Sequence, residues 1–214
     1  MQWIKLMKEM KTNLLIFAFF CLSVILVFTN YKKLLSSKIQ VIFHKDLVEG
    51  SYSFSIDQLN EYDFDFPSLS FNMIPIKTYL ARYNLNQKKH KYAINNINAA
   101  IKKNPFSVYS FYLKARIYLD MGKQNEALNY LERSYLMSNS TDYVAVLYFT
   151  LLSENKNYRK LFSNYINVEN SLNKNIWLYY LSAINSVDTS SYDSLILKIN
   201  NRYNYLNEKN KLKN

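Results

Sequence analysis

Hydrophobic and polar positions follow three different rhythms along this chain. The first is a block. Residues Leu14 to Phe28 (LLIFAFFCLSVILVF) run without a charge or a Pro. Fifteen residues at about 1.5 Å each span roughly 22 Å, the short end for a membrane-crossing helix. Thr12, Asn13, Thr29 and Asn30 are uncharged and extend the tolerable span, while Trp3 and Tyr31 stand where amphipathic rings prefer the membrane interface. A cleaved signal peptide needs small residues at the first and third positions before the cut, and Leu26-Val27-Phe28-Thr29-Asn30 offers no such pair. Phe19 and Phe20 precede Cys21 where lipoprotein processing needs small residues, so Cys21 reads as one more apolar position. The expected element is an uncleaved signal anchor over residues 14–30, after a short basic segment, 1–13.

The second rhythm has no helical period. Residues 31–73 form a connector in which Leu34 to Val48 either continues the membrane helix or makes a short amphipathic one. Gly50 to Ser70 is rich in Ser, Tyr, Phe and acid, and Glu61-Tyr62-Asp63-Phe64-Asp65-Phe66-Pro67 alternates acid with aromatic. That run reads either as a docking strand mimicking an acidic ligand or as a packed linker.

The third rhythm is a helical one that repeats. A shift of 34 residues takes Tyr79-Leu80-Ala81-Arg82 onto Leu113-Lys114-Ala115-Arg116, and it takes Ala93 to Ala127, Ile97 to Leu131 and Ala100 to Ser134. The second copy, with Phe111, Ala115, Tyr118, Gly122, Ala127 and Leu131, resembles the tetratricopeptide repeat at six characteristic positions. The first copy departs from it with Lys77 at the usual aromatic position and Lys88 at the usual Gly. The physical reason for the pattern is close helix crossing: Ala81 and Ala115 on the first helix of each hairpin face Ala93 and Ala127 on the second. Gly122 supplies a positive φ at a helix end, and Pro105 stops the preceding helix. A third copy is degenerate, with Phe149, Leu161 and Tyr165 at the shifted positions. Its two-helix rhythm survives over Tyr143–Ser153 and Tyr158–Val168. A further pair is expected over Ile176–Ser186 and Tyr192–Leu206.

The resemblance implies an all-α fold: a single transmembrane helix followed by a tetratricopeptide-like α-hairpin solenoid over 74–206, with a frayed tail at 207–214. It also implies a concave face lined by the first helix of each hairpin. By the repeat's register the lining positions are Thr78 and Arg82, then Tyr109, Tyr112, Arg116 and Leu119. Arg82 and Arg116 are equivalent, one repeat apart. Arg offers bidentate carboxylate pairing and Tyr a rigid anchor, a combination found at binding hot spots. Phe66-Pro67-Ser68-Leu69, Pro75-Ile76, Asn104-Pro105-Phe106 and Ala115-Arg116-Ile117-Tyr118 also look like the repeat portion of bacterial O-antigen-ligase-like membrane proteins, loosely over residues 66–165. The multi-span catalytic part of those proteins has no counterpart in these 214 residues.

Composition narrows the picture. With 2 Gly and 3 Pro the chain lacks punctuation for hairpin-rich β folds, and no glycine loop for nucleotides can be assembled. One Cys and 2 His exclude an internal disulfide framework and an ordinary structural zinc site. His44 and His90 have no nucleophile or carboxylate placed by a recognisable motif, and both read as solvated surface side chains. No cofactor, metal or catalytic residue is expected, and the chain reads as a non-enzyme.

Charge is divided. Residues 31–73 hold 4 Lys and 6 acids, whereas residues 74–214 hold 20 Lys and Arg against 9 acids, so the whole excess of +11 sits on the repeats. The expected partner is a protein or peptide segment, acidic in character, and the bilayer is the partner of residues 14–30. An accessory role in cell-envelope polysaccharide assembly is the alternative that resemblance suggests. RNA binding is a third, disfavoured because the Lys, Asn, Ile and Tyr excess runs along the whole chain. The positive-inside count is close to a tie across the anchor. The expected localisation is a single-pass protein of a bacterial inner membrane with its repeats outside the cytoplasm.

Overall fold

The computed structural model describes residues 2–62, 68–171 and 173–187, together with residues 197, 198, 200–202 and 204. The acid-aromatic residues 63–67, most of the expected helix over 192–206 and the tail at 207–214 lie outside the described residues. Every regular element among the described residues is a helix. They belong to two compact units, Met1–Asn72 and Met73–Asn214.

The first unit is built on helix α1, Gln2–Glu49, which is 48 residues long and so roughly 72 Å at about 1.5 Å per residue. Leu34 to Val48 continues the apolar helix rather than forming a separate one. No Gly or Pro interrupts it until Gly50, whose φ of +72° ends the helix at no steric cost. The side chains of the apolar run stand exposed, from Leu14 at 70% to Phe28 at 57%. By length and composition this helix can cross a membrane. Two of its polar side chains are satisfied within the helix, as lipid would require: Ser23 Oγ donates to the Phe19 carbonyl at 2.9 Å and Thr29 Oγ1 to the Leu26 carbonyl at 3.0 Å.

The C-terminal part of α1 is covered by the chain that follows it. Ile39 and Phe43 are buried, and Phe43 meets Phe54 edge-on at 5.9 Å. The buried Asp46 carboxylate accepts from Ser51 Oγ at 2.8 Å, Ser53 N–H at 2.9 Å and Ser53 Oγ at 2.6 Å, which pins the return loop. A five-residue helix, α2 (Ile56–Asn60), follows within the stretch that shows no helical period. A reciprocal capping box between Ser55 and Gln58 starts it, and burial of Ile56 and Leu59 holds it. One turn is too short to leave a period in the sequence.

The second unit holds α3 (Ile76–Asn86), α4 (His90–Lys103), α5 (Val108–Asp120), α6 (Gln124–Met137), α7 (Asp142–Glu154), α8 (Tyr158–Ser163), α9 (Tyr165–Glu169) and α10 (Lys174–Asn185). α3 packs on α4, α5 on α6, and α7 on α8, while α4 and α3 touch α5, α6 touches α7, and α10 lies on α7 and α9. The turns inside the three hairpins repeat at a spacing of 34. Lys88, Gly122 and Lys156 all have positive φ (57°, 73° and 53°). The next N–H reaches back to the same carbonyl each time: Lys89 to Asn84, Lys123 to Tyr118 and Asn157 to Leu152, each at 2.9 Å. These are the six-to-one bonds of a Schellman cap.

Small residues set the first two crossings: Ala81, Ala93, Ala115 and Ala127 have no exposed surface. At the third crossing the equivalent residues are Phe149 and Leu161, both fully buried. Bulk at that crossing replaces close approach with an aromatic core, in which Tyr135 stacks on Tyr148 at 5.1 Å and Phe149 meets Tyr180 edge-on at 5.4 Å. The expected single helix over 158–168 is broken at Asn164. Its side chain turns inward, donating to the Lys160 carbonyl at 2.8 Å and lying 3.5 Å from the Tyr148 hydroxyl.

Candidate functional site

Three successive hairpin-leading helices bring one aromatic and cationic cluster together. Tyr109 and Tyr112 stand on one face of α5, three residues apart and so neighbours on the helix surface. Their ring centroids are 6.1 Å apart. Tyr143, in the first turn of α7, meets Tyr112 edge-on at 4.7 Å and Tyr109 at 6.2 Å. The Arg116 guanidinium lies 6.0 Å from the Tyr112 ring, within cation–π reach. Arg82 of α3 is buried at 7% exposure, and its charge acts on the Tyr109 phenol. Burial holds that phenol well above the ordinary tyrosine range despite the opposing pull of Arg82 and Arg116.

The cluster is open on one side. Arg116 is exposed, Tyr143 retains 42% exposure, and Val146, three residues further along α7, is exposed as well. A rigid, half-buried aromatic floor beside an exposed guanidinium can accept an apolar side chain and a carboxylate together.

The expected lining residues are placed unequally. Arg82, Tyr109, Tyr112 and Arg116 come together. Leu119 is half-buried and packs against the core of the second and third hairpins. Thr78 does not line an accessible face: it is fully buried, and its Oγ1 lies 2.7 Å from Ser110 Oγ, tying α3 to α5. A hydroxyl is small enough to be buried at a helix crossing once it finds such a partner. Tyr143 is the residue that sequence reasoning passed over, although it stands 34 positions after Tyr109.

His90 also departs from the expected solvated side chain. It is 31% exposed, and its Nε2 lies 2.5 Å from the Asp120 carboxylate, which Lys88 also contacts. These bonds from His90 and Lys88 hold the Asp120 carboxyl below the usual carboxylate range. The pair joins the start of α4 to the end of α5, a contact between hairpins that no local motif announces. His44 packs edge-on against Phe71 at 5.3 Å. Among the described residues no three His, Cys, Asp or Glu side chains gather as a metal site would require.

Comparison with protein-family models, with curated proteins and with solved structures returns no match.

Proposed function

We propose that this chain is a membrane-tethered adaptor of tetratricopeptide-repeat type that captures a protein or peptide segment on its Tyr–Arg face. The observation that carries the reading is the gathering of Arg82, Tyr109, Tyr112, Arg116 and Tyr143 from α3, α5 and α7 into one cluster with an open side. The three equivalent turns at a spacing of 34 support the repeat reading. Stacked helical hairpins commonly present the first helix of each pair to an extended ligand. The cationic balance of residues 74–214 favours an acidic segment, drawn in by long-range attraction and fixed by Arg116.

Anchoring by residues 14–30 rests on the exposed apolar surface of α1. The arrangement proposed is a single pass through a bacterial inner membrane with the second unit outside the cytoplasm, the side favoured by the tendency of long C-terminal regions to translocate regardless of flanking charge. No catalytic role enters this reading.

A photo-crosslinking side chain at Tyr112, introduced into the full chain in native membranes, is expected to trap a protein identifiable by mass. Arg116→Glu, at an exposed position that leaves the fold intact, should abolish the capture, and Arg82→Glu should do so as well. Undiminished capture by Arg116→Glu would overturn the groove.

A further inference from the structure

We propose that Lys114, Arg133 and the Asn98 side chain form an oxyanion site between α4, α5 and α6 that takes a doubly charged phosphate group. The site is separate from the Tyr–Arg face and does not depend on it. Lys114 is two residues from both Tyr112 and Arg116, roughly 200° around α5 from each.

The repeat register makes Lys114 an unexpected residue. A shift of 34 sets it against Leu80 in the first hairpin and Tyr148 in the third. An ammonium therefore stands where the neighbouring copies place a half-buried leucine and a buried tyrosine. Lys114 is only 9% exposed, and lysine at that depth is normally paired with a carboxylate. Here it is not. Its Nζ donates to Asn98 Oδ1 at 2.7 Å and lies 4.2 Å from the centre of the Tyr130 ring. Among the described residues no carboxylate reaches it.

Arg133 answers Lys114 from the other helix of the hairpin. Lys114 of α5 sits over Tyr130 of α6, and the Arg133 guanidinium of α6 sits 4.3 Å from the centre of Phe111 on α5. Those two rings stack on each other at 6.4 Å, and Tyr118 stacks on Tyr130 at 5.4 Å. Crossed in this way, both cations are positioned by rings that carry no charge to neutralise them. Arg133 is exposed, and among the described residues neither its guanidinium nor Asn98 Nδ2 has a hydrogen-bond acceptor. Donors from three helices thus gather on one stack of rings without an anion.

The surrounding side chains do not supply one. Helices α3 and α4 contain no acid. On α5 and α6, Asp120 contacts His90 and Lys88, Glu132 pairs with Lys160 at 2.5 Å, and Glu126 acts on the Tyr118 phenol. Lys102, exposed one turn beyond Asn98 on α4, adds a further cation. A carboxylate carries a single charge and would leave one cation unmatched. A phosphate group carries about −1.5 to −2 near neutral pH, and its three acceptor oxygens suit an ammonium, a guanidinium fork and an amide together.

The test melts the full chain in micelles of an uncharged detergent, with sodium phosphate or sodium chloride at equal ionic strength and neutral pH. Phosphate should raise the melting temperature by roughly 3–6 °C once its concentration is about tenfold above the dissociation constant. Lys114→Met keeps the buried stem and removes the charge, so it should melt no lower than the parent in chloride yet lose the phosphate increment. Arg133→Gln, at an exposed position, should lose the increment too, and it carries the test if Lys114→Met does not fold. Arg116→Glu should keep it, which separates this site from the Tyr–Arg face. Stabilisation by O-phosphoserine as strong as by phosphate would place the group on a larger carrier, and stabilisation by phosphate alone would make the free anion the ligand. An increment that survives both Lys114→Met and Arg133→Gln would be a general effect of the salt on the fold and would overturn the site. An equal increment from glutamate in place of phosphate, or no increment at all, would overturn it as well.

Discussion

Tyr112 of α5 and Tyr143 of α7 meet edge to face with 4.7 Å between ring centroids, and this contact carries the candidate site from the second hairpin to the third. Edge-to-face pairs contribute about 0.5–1.5 kcal/mol beyond their buried area. Leucine at either position keeps most of the apolar contact but loses the ring geometry. The double-mutant cycle of Tyr112→Leu and Tyr143→Leu, read by melting, should therefore show coupling of about 0.5–1.5 kcal/mol. Purely additive losses would mean that the rings are neighbours without being partners.

The left-handed turns make a prediction of opposite sign at equivalent positions. Gly122 has a φ of 73°, and a Cβ built there meets nothing within 4 Å, so Gly122→Ala is strained by backbone conformation alone. It should cost about 1 kcal/mol, which lowers the melting temperature by roughly 2–4 °C in a chain of this size. Lys156 is exposed and takes the same conformation with a φ of 53°. Lys156→Gly should therefore raise stability by up to about 1 kcal/mol, less the extra entropy glycine brings to the unfolded chain. A neutral Gly122→Ala would show that this turn is not held in the geometry described.

Those turns are also where the sequence was most legible. Gly122 is read from the sequence as a helix end of positive φ and Lys88 as a departure at the equivalent position, yet the structure gives Lys88, and Lys156 a further 34 residues on from Gly122, the same bend. The long apolar helix at the N-terminal end was legible too, since an uncharged apolar run without Gly or Pro favours one continuous helix. What escaped depended on contacts between elements. At the break, the buried Asn164 amide donates to the Lys160 carbonyl at 2.8 Å and lies 3.5 Å from the Tyr148 hydroxyl of another helix, a contact that no local pattern records. Thr78 was placed by register on an accessible face, but the Ser110 hydroxyl across the α3–α5 crossing draws it inside. Tyr143 was missed for a different reason. Its hairpin loses the small residues at the crossing, so the third copy looked too degenerate to extend the site, although its first helix keeps the same face.

The contact between His90 and Asp120 gives an acid-limb prediction. Bonds from His90 and Lys88 lower the Asp120 pKa in the folded chain, so their stabilisation is present above the unfolded value and lost as pH falls through the folded one. The site is partly exposed, which keeps the effect of Asp120→Asn below about 1 kcal/mol. The melting temperatures of the variant and the parent should differ at neutral pH and converge toward about pH 2. A gap that persists unchanged in acid would assign the loss to packing rather than to charge.

Buried phenols set the alkaline limit. Burial pushes the Tyr148 hydroxyl up to about 12, against the lowering effect of its contact with Asn164. Tyr109, Tyr135 and Tyr180 are raised further, in each case chiefly by burial. The Tyr135 and Tyr180 hydroxyls have no hydrogen-bond partner among the described residues, so nothing nearby would stabilise a phenolate. A raised folded pKa means that the neutral form is favoured by folding. The stability it lends is complete below the unfolded tyrosine value of about 10 and is lost as pH rises toward the folded values. A tyrosine of the unfolded chain ionises near pH 10. The buried set should ionise later, together with the loss of helical circular dichroism, because the phenolate has to reach water. Tyr148→Phe removes one of these groups while keeping its ring in the stack with Tyr135, and should shift the alkaline transition upward. Ionisation of all the phenols in one step near pH 10, with the helices intact, would contradict a closed aromatic core between α6, α7 and α10.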